Sequence, residues 1–222
     1  MDLPDLDEAQ HVQALRGLER IHCMTGGARY FWPRIVDAAR EVEGRPLRVL
    51  DIATGGGGVL LSLAKRARRA GIPLVLAGCD ISERAVAYAR RGADDAGAQV
   101  NFFAWDVVAQ GVPEGFDVIL CSLFLHHLED EQAVTLLKQL SRRAKRTALL
   151  LDLVRSKPGY ALAYWGCRLA IPSRVVHIDA PLSVMSAFTE QEAQALARRA
   201  GLTRYRIERR FPFRFMLEIG RA

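Results

Sequence analysis

Three aspartates stand where aliphatic runs stop: Asp51 in Val49-Leu50-Asp51-Ile52, Asp80 in Gly78-Cys79-Asp80-Ile81, and Asp106 in Ala104-Trp105-Asp106-Val107. The first leads into Ala53-Thr54-Gly55-Gly56-Gly57-Gly58. Glycines let a backbone pass close to a ligand with no Cβ in the way, and a helix begun by such a turn presents unpaired N–H groups. Glycine-rich turns also hold phosphates in dehydrogenases and nucleotide hydrolases, or serve packing alone. The acids separate these readings. A carboxylate at the position of Asp80 can accept from both hydroxyls of a ribose, as it also does in nicotinamide dinucleotide sites. Asp106 can meet an adenine amino group. Asp51 would repel a pyrophosphate, whereas a phosphate-free ligand with a sulfonium and an ammonium group suits all three. Taken singly, each acid also reads as a capping or loop carboxylate.

Proton chemistry has three candidates: His126 and His127 in Cys121-Ser122-Leu123-Phe124-Leu125-His126-His127-Leu128, and His177 in Val176-His177-Ile178-Asp179. A phenolic hydroxyl, with a pKa of about 10, benefits from a general base, and histidine is the side chain best tuned for that near neutrality. The plainer reading is that His126 and His127 cap or pack the start of the next helix. Tyr30, Phe31, Trp32, Tyr160, Tyr164 and Trp165 suit either an apolar acceptor pocket or ordinary core.

The elements that must position these groups alternate from Arg48 onward between short aliphatic runs and stretches of helical period, the sign of a parallel sheet wrapped by helices. Strands are expected at Leu47–Ile52, Leu74–Cys79, Val100–Ala104, Asp117–Ser122 and Ala148–Leu153, and helices near Gly57–Ala70, Glu83–Ala96 and Glu131–Ala144. Ser82 is placed as an N-cap, with Gly71 and Gly97 ending helices. Thr189-Glu190-Gln191-Glu192 is a capping box opening a further helix that Gly201 closes. Arg204–Arg209 and Phe213–Ile219 then form an antiparallel hairpin, unlike the usual dinucleotide-dehydrogenase arrangement.

The 222 residues read as one domain: an N-terminal helical cover over 1–46, a core over 47–154, a substrate cover over 155–188, and the last helix and hairpin over 189–222. Both covers are expected over the carboxyl ends of the strands, where open α/β sheets bind ligands. Cys23, Cys79, Cys121 and Cys167 are scattered and read as reduced, mostly buried thiols in a cytoplasmic protein. The acidic start lacks the order of a secretory signal, and the apolar Pro158–Pro172 run is too short to span a bilayer. A net charge of +6 raises nucleic acid as a partner, but the basic residues fall in short groups toward helix ends, where they complement the helix dipole. Neither nucleic acid nor stable membrane insertion is therefore expected, and a homodimer is left open.

The region from Leu47 to Leu153 resembles the core of the class I S-adenosylmethionine-dependent methyltransferases. Their first motif, an acid followed by alternating glycines, is matched by Asp51, Ala53, Gly55 and Gly57, with Ala53 replacing the usual first glycine. The resemblance implies an α/β, Rossmann-like fold with a mostly parallel seven-stranded sheet ending in an antiparallel hairpin. It also implies that this turn, Thr54 included, holds S-adenosylmethionine, which leaves as S-adenosylhomocysteine. Asp80 would hold the ribose, Ile81 pack on the adenine, and Asp106 contact the adenine amino group beside Val107. Ser122, ending the fourth strand, joins this cofactor set, and Arg29 offers a guanidinium to the methionine carboxylate, with a surface role as the alternative. The polar-Pro-Pro-aromatic and Pro-Cys signatures of base-modifying enzymes of this fold are missing after the fourth strand. Leu125-His126-His127-Leu128 is instead similar to small-molecule methyltransferases that act on phenols, quinone precursors and polyketides in bacterial natural-product pathways. The expectation is metal-independent O-methylation of a small hydrophobic aromatic acceptor, with C-methylation the nearest alternative. A nicotinamide-dependent oxidoreductase and a non-catalytic binding protein lie further off.

Overall fold

The computed structural model describes residues 27–42, 44–170 and 173–221, so the acidic start and Cys23 lie outside the described residues. Seven strands, β1 (Leu47–Ile52), β2 (Leu74–Asp80), β3 (Val100–Ala104), β4 (Val118–Ser122), β5 (Thr147–Leu153), β6 (Tyr205–Arg210) and β7 (Arg214–Gly220), form one sheet in the order β3-β2-β1-β4-β5-β7-β6. The first five run parallel, and β7 is antiparallel to both β5 and β6. The central strands are buried on both faces, which is why they read as unbroken aliphatic runs.

Seven helices are described: α1 (Gly27–Arg40), α2 (Gly58–Ala70), α3 (Glu83–Asp95), α4 (Asp130–Arg143), α5 (Lys157–Ala170), α6 (Arg174–Ser186) and α7 (Glu190–Arg199). Leu60 and Leu63 of α2, Val86 and Ala89 of α3, and Phe31 and Ile35 of α1 bury one face of the sheet against Val49, Leu120, Leu151 and Met216. Leu137 and Leu140 of α4 and Leu196 of α7 bury the other against Ile52, Cys121, Leu150 and Phe215. Residues 1–26 of the N-terminal cover lie outside the described residues. In its described part Phe31, Ile35 and Ala38, four and three residues apart, form one apolar stripe that packs α1 on the sheet. Only its first turn reaches the carboxyl ends, where Tyr30 Oη donates to the Phe211 carbonyl at 2.6 Å. Most of the apolar Pro158–Pro172 run is α5, which packs on α6, and α6 in turn meets a single 3-10 turn at Leu125–His127. Among the described residues, no helix is long and apolar enough to cross a membrane.

The helix signals act locally as their chemistry requires. Ser82 Oγ accepts from Ala85 N–H at 3.3 Å, and Gly71 closes α2 at φ +65°. Arg68 and Arg69, Arg142 and Arg143, and Arg198 and Arg199 occupy the last turns of α2, α4 and α7, opposite the negative ends of their dipoles. One cap escapes sequence inspection, a box in which Glu129 and Gln132 start α4 one residue early. At α7, Thr189 Oγ1 accepts from Glu192 N–H at 3.3 Å and Glu192 Oε2 from Thr189 N–H at 2.7 Å. Thr189→Ala should therefore lower stability by about 1 kcal/mol, as measured by urea unfolding.

Candidate functional site

The chain leaves β1 through three left-handed residues, Ala53 at φ +50°, Gly55 at +55° and Gly57 at +78°. At Gly57 a Cβ would stand 2.6 Å from Phe102 Cζ, so the residue must be glycine for packing as well as for φ. At Gly55 nothing lies within 4 Å of such a Cβ, which leaves the backbone open on that side. Two of the expected acids tie this turn together. Asp80 Oδ2 accepts from Gly55 N–H at 2.8 Å and its Oδ1 from Ser82 N–H at 3.0 Å, while Thr54 Oγ1 donates to Asp51 Oδ2 at 2.8 Å. A carboxylate has about four lone-pair sites, so Asp80 keeps acceptor capacity beyond these bonds. Asp106 caps its own loop, with Oδ1 accepting from Val108 and Ala109 N–H at 2.8 and 3.1 Å. Val107 is buried beside it, whereas Ile81 is 66 % exposed beyond β2.

Asp51 is 1 % exposed. Burial pushes its carboxyl up to about 7, the Thr54 bond works in the opposite direction, and repulsion by Asp80 adds to the rise. Its Oδ1 and the Oγ of Ser122 are both buried without a hydrogen-bond partner among the described residues. Buried polar atoms are nearly always paired, so two orphans at the ends of adjacent strands mark a place for a ligand. The S-adenosylmethionine implied by the sequence fits here: its ammonium and hydroxyl groups are donors, the orphans include a carboxylate oxygen, and the turn is open at Gly55.

Beyond β4 the backbone turns through Leu123 at φ +55°, with Leu123 N–H on the Leu151 carbonyl at 2.9 Å, into the 3-10 turn. His126 is held there by a residue the sequence analysis did not single out. Asp152 Oδ1 lies 2.7 Å from His126 Nδ1, and Asp152 Oδ2 accepts from His126 N–H at 3.2 Å. Both side chains are buried. Burial opposes charge on His126, but the Asp152 carboxylate, its hydrogen bond and more distantly Asp179 outweigh it and raise the imidazole pKa. Burial likewise opposes charge on Asp152, yet His126 and the N–H groups of Leu153 and His126 hold its carboxyl below the ordinary range. An ionised Asp152 fixes the imidazole proton on Nδ1, which leaves Nε2 as the basic nitrogen of neutral His126. An acid in the aliphatic run Leu149-Leu150-Leu151-Asp152 is the same signal as Asp51 and could have exposed it.

His127 is exposed, with its ring 4.2 Å from that of His126. His177 is half-buried in the first turns of α6. The Arg29 guanidinium lies 4.9 Å over the Tyr30 ring and donates to Tyr30 Oη at 2.9 Å. Of the aromatic residues, Phe31 is fully buried core and Trp165 is 63 % exposed. Tyr164 stacks on Tyr160 at 6.2 Å and lies beneath Arg168. Arg214 was also missed, since one arginine in a strand of alternating faces carries no local signal.

Residues 49–147 match the family model described as a methyltransferase domain. The chain is 33% identical over 141 residues to the demethylmenaquinone methyltransferase of Thermus thermophilus, an overlap of 62% of this chain and 61% of that protein. It is 28% identical over 218 residues to the acetylserotonin O-methyltransferase of Mus musculus, covering 95% of this chain and 51% of that one. The chain thus spans less than two thirds of the length of these curated relatives. Its fold is shared by the crystal structure of magnesium protoporphyrin IX methyltransferase from Synechocystis PCC 6803 with bound SAH, at a TM-score of 0.59 and 20% identity over 89% of this chain and 84% of that one.

Two outcomes follow from the site geometry. Ala53→Gly should relieve the left-handed alanine and raise stability by about 1 kcal/mol in urea unfolding. Asp152→Asn should lower the His126 pKa, read from its ring resonances by NMR. The raised histidine gives stability that is fully present below its ordinary value of about 6.5 and lost as pH rises through the raised one, and the depressed Asp152 gives stability present above about pH 4. The stability gap between wild type and Asp152→Asn should therefore be widest between those limits and narrow on either side.

Proposed function

We propose, from the premise that residues 49–147 are a methyltransferase domain folded as in the class I S-adenosylmethionine-dependent enzymes, that this protein methylates an oxygen of a small hydrophobic aromatic acceptor. The acceptor class is a phenol, polyketide or quinone-like compound of a cytoplasmic natural-product pathway. The observation that carries the oxygen assignment is the buried His126–Asp152 pair just beyond β4. That similar proteins include a demethylmenaquinone methyltransferase and an acetylserotonin O-methyltransferase supports a small aromatic acceptor.

When bound, S-adenosylmethionine supplies a methyl carbon already activated by its sulfonium. The residues that would hold it are the turn Ala53, Thr54, Gly55 and Gly57, with Asp51, Asp80, Ile81, Asp106, Val107 and Ser122, and Arg29 if its guanidinium leaves Tyr30. Asp51 contributes its unpaired carboxylate oxygen toward an ammonium, and Asp80 its remaining lone pairs toward hydroxyls. His126 Nε2 takes the proton of the acceptor hydroxyl, and Asp152 stabilises the imidazolium so formed. His127, beside it, and His177 on α6 are the other candidate bases. With α6 packed on the 3-10 turn and α5 on α6, water is kept from the transfer and the acceptor is aligned, which is most of what an in-line displacement requires.

Calorimetric titration with S-adenosylhomocysteine tests the cofactor half, and no binding by a folded sample would end it. Because the Asp51 carboxyl sits at about 7, the ligand-free protein should lose stability as pH rises toward 7. S-adenosylhomocysteine, whose ammonium pairs with the ionised form, should bind more weakly below that pH, by up to about tenfold per unit. His126→Ala should slow turnover about 100-fold with S-adenosylhomocysteine binding retained. NMR of the product should show a methoxy and not a carbon-bound methyl group.

A further inference from the structure

The carboxyl edge of the sheet changes sign along its length. From β3 through β2 to β1 it carries Asp106, Asp80 and Asp51, the acidic half assigned above to a cationic methyl donor. Ser122 ends β4, and beyond β5 stands Arg214, the first residue of β7, opposite Leu153. Alternation along the strands puts Asp51, Ser122 and Arg214 on the face that α1 covers, since Val49, Leu120 and Met216, each two residues away, all pack in that cluster.

Arg214 is 3 % exposed, and its Nε and Nη1 have no hydrogen-bond partner among the described residues. A guanidinium so placed is costly unless something fills its donors. Burial depresses its pKa to about 10, with Asp152 and Tyr30 pulling the other way, so it remains a cation at neutral pH. Its surroundings are basic as well. Arg29 and Arg210 lie 4.9 and 5.7 Å over the Tyr30 ring, and the first turn of α1 ends there. Arg210 is paired with Glu208, and Tyr30 Oη, which donates to the Phe211 carbonyl, accepts from Arg29. Neither supplies Arg214 with an acceptor.

We infer that Arg214 anchors a carboxylate carried by the methyl acceptor, so that the substrate class is an aromatic acid with a second, methylatable oxygen. This rests on the methyltransferase reading. The methionine carboxylate of the donor is a poorer occupant, because β7 is three strands from β1, about 14 Å at ordinary strand spacing, on the far side of β4 and β5. A guanidinium whose Nε and Nη1 are without partners among the described residues offers charge-assisted donors to a carboxylate. Held there, an aromatic acid reaches over the ends of β5 and β4 toward His126, with its cationic methyl source toward the acidic half of the edge. Asp152, the partner of His126, lies by the same alternation on the opposite face of the sheet.

The test uses the protein saturated with S-adenosylhomocysteine and a calorimetric panel of hydroxybenzoates, hydroxyphenylacetates and hydroxycinnamates, each paired with its methyl ester. Wild type should bind at least one acid about tenfold or more tightly than its ester. Arg214→Met should erase that preference and Arg214→Lys retain part of it, both with S-adenosylhomocysteine affinity unchanged. The methionine variant removes an unpaired buried charge and should fold, and the wild-type acid-to-ester ratio stands without any variant. Absence of a preferred acid in wild type, or a preference that survives in Arg214→Met, overturns the inference. Failure of wild type to bind S-adenosylhomocysteine would instead strike the methyltransferase reading itself.

Discussion

A carboxylate buried at the end of a central strand, bonded through one oxygen and, among the described residues, without a partner at the other, is the constraint around which this protein is arranged. Asp51 cannot be hydrated where β1 ends, so the chain turns back over it and gives it the Thr54 hydroxyl. That return path requires left-handed backbone at Ala53, Gly55 and Gly57, and it is kept closed by the Gly55 N–H on Asp80 of the next strand. Asp80 thereby belongs to the wall of the site and to its floor at once. The packing of Phe102 against Gly57 carries the same constraint into β3.

The non-glycine residues with positive φ fall in the same region. Ala53 follows β1, Leu123 follows β4, and Phe213 precedes β7, all three at the carboxyl end of the sheet. Strain of this kind persists only where the surrounding structure holds it, and it gathers where side chains must be aimed and not merely packed. Leu123 illustrates the point. Its conformation sends the chain from a fully buried strand into the 3-10 turn that brings His126 onto Asp152, 26 residues away in sequence and one strand away in space.

The sheet was legible in the sequence because its strands are aliphatic runs bounded by glycine, proline and acid, and because strand ends in such folds carry the ligand contacts. Asp51 and Asp80 could be placed on that basis alone. Asp152 carries the same mark, but its meaning depends on the pairing of β4 with β5, which brings it under a histidine. Arg214 was illegible for a related reason: its place at the edge depends on the pairing of β7 with β5, and one arginine in a strand does not reveal that pairing. Arg29 shows the converse, a residue whose type suits a carboxylate but whose nearest partner is the neighbouring Tyr30. Glu129 went unread as a cap because serine, threonine and the shorter acid are the usual occupants of that position.

The terminal hairpin that sets this sheet apart from a dehydrogenase also leaves β6 as an outer strand. An outer strand offers a row of unused backbone donors and acceptors to any second chain that comes alongside. Here it reads Tyr-Arg-Ile-Glu-Arg-Arg, and four of its six residues are charged, with Arg206, Glu208 and Arg210 linked to one another. Two copies approaching edge to edge would have to strip water from those charges and set arginine against arginine. The hairpin thus sets charge against sheet-to-sheet pairing along this edge.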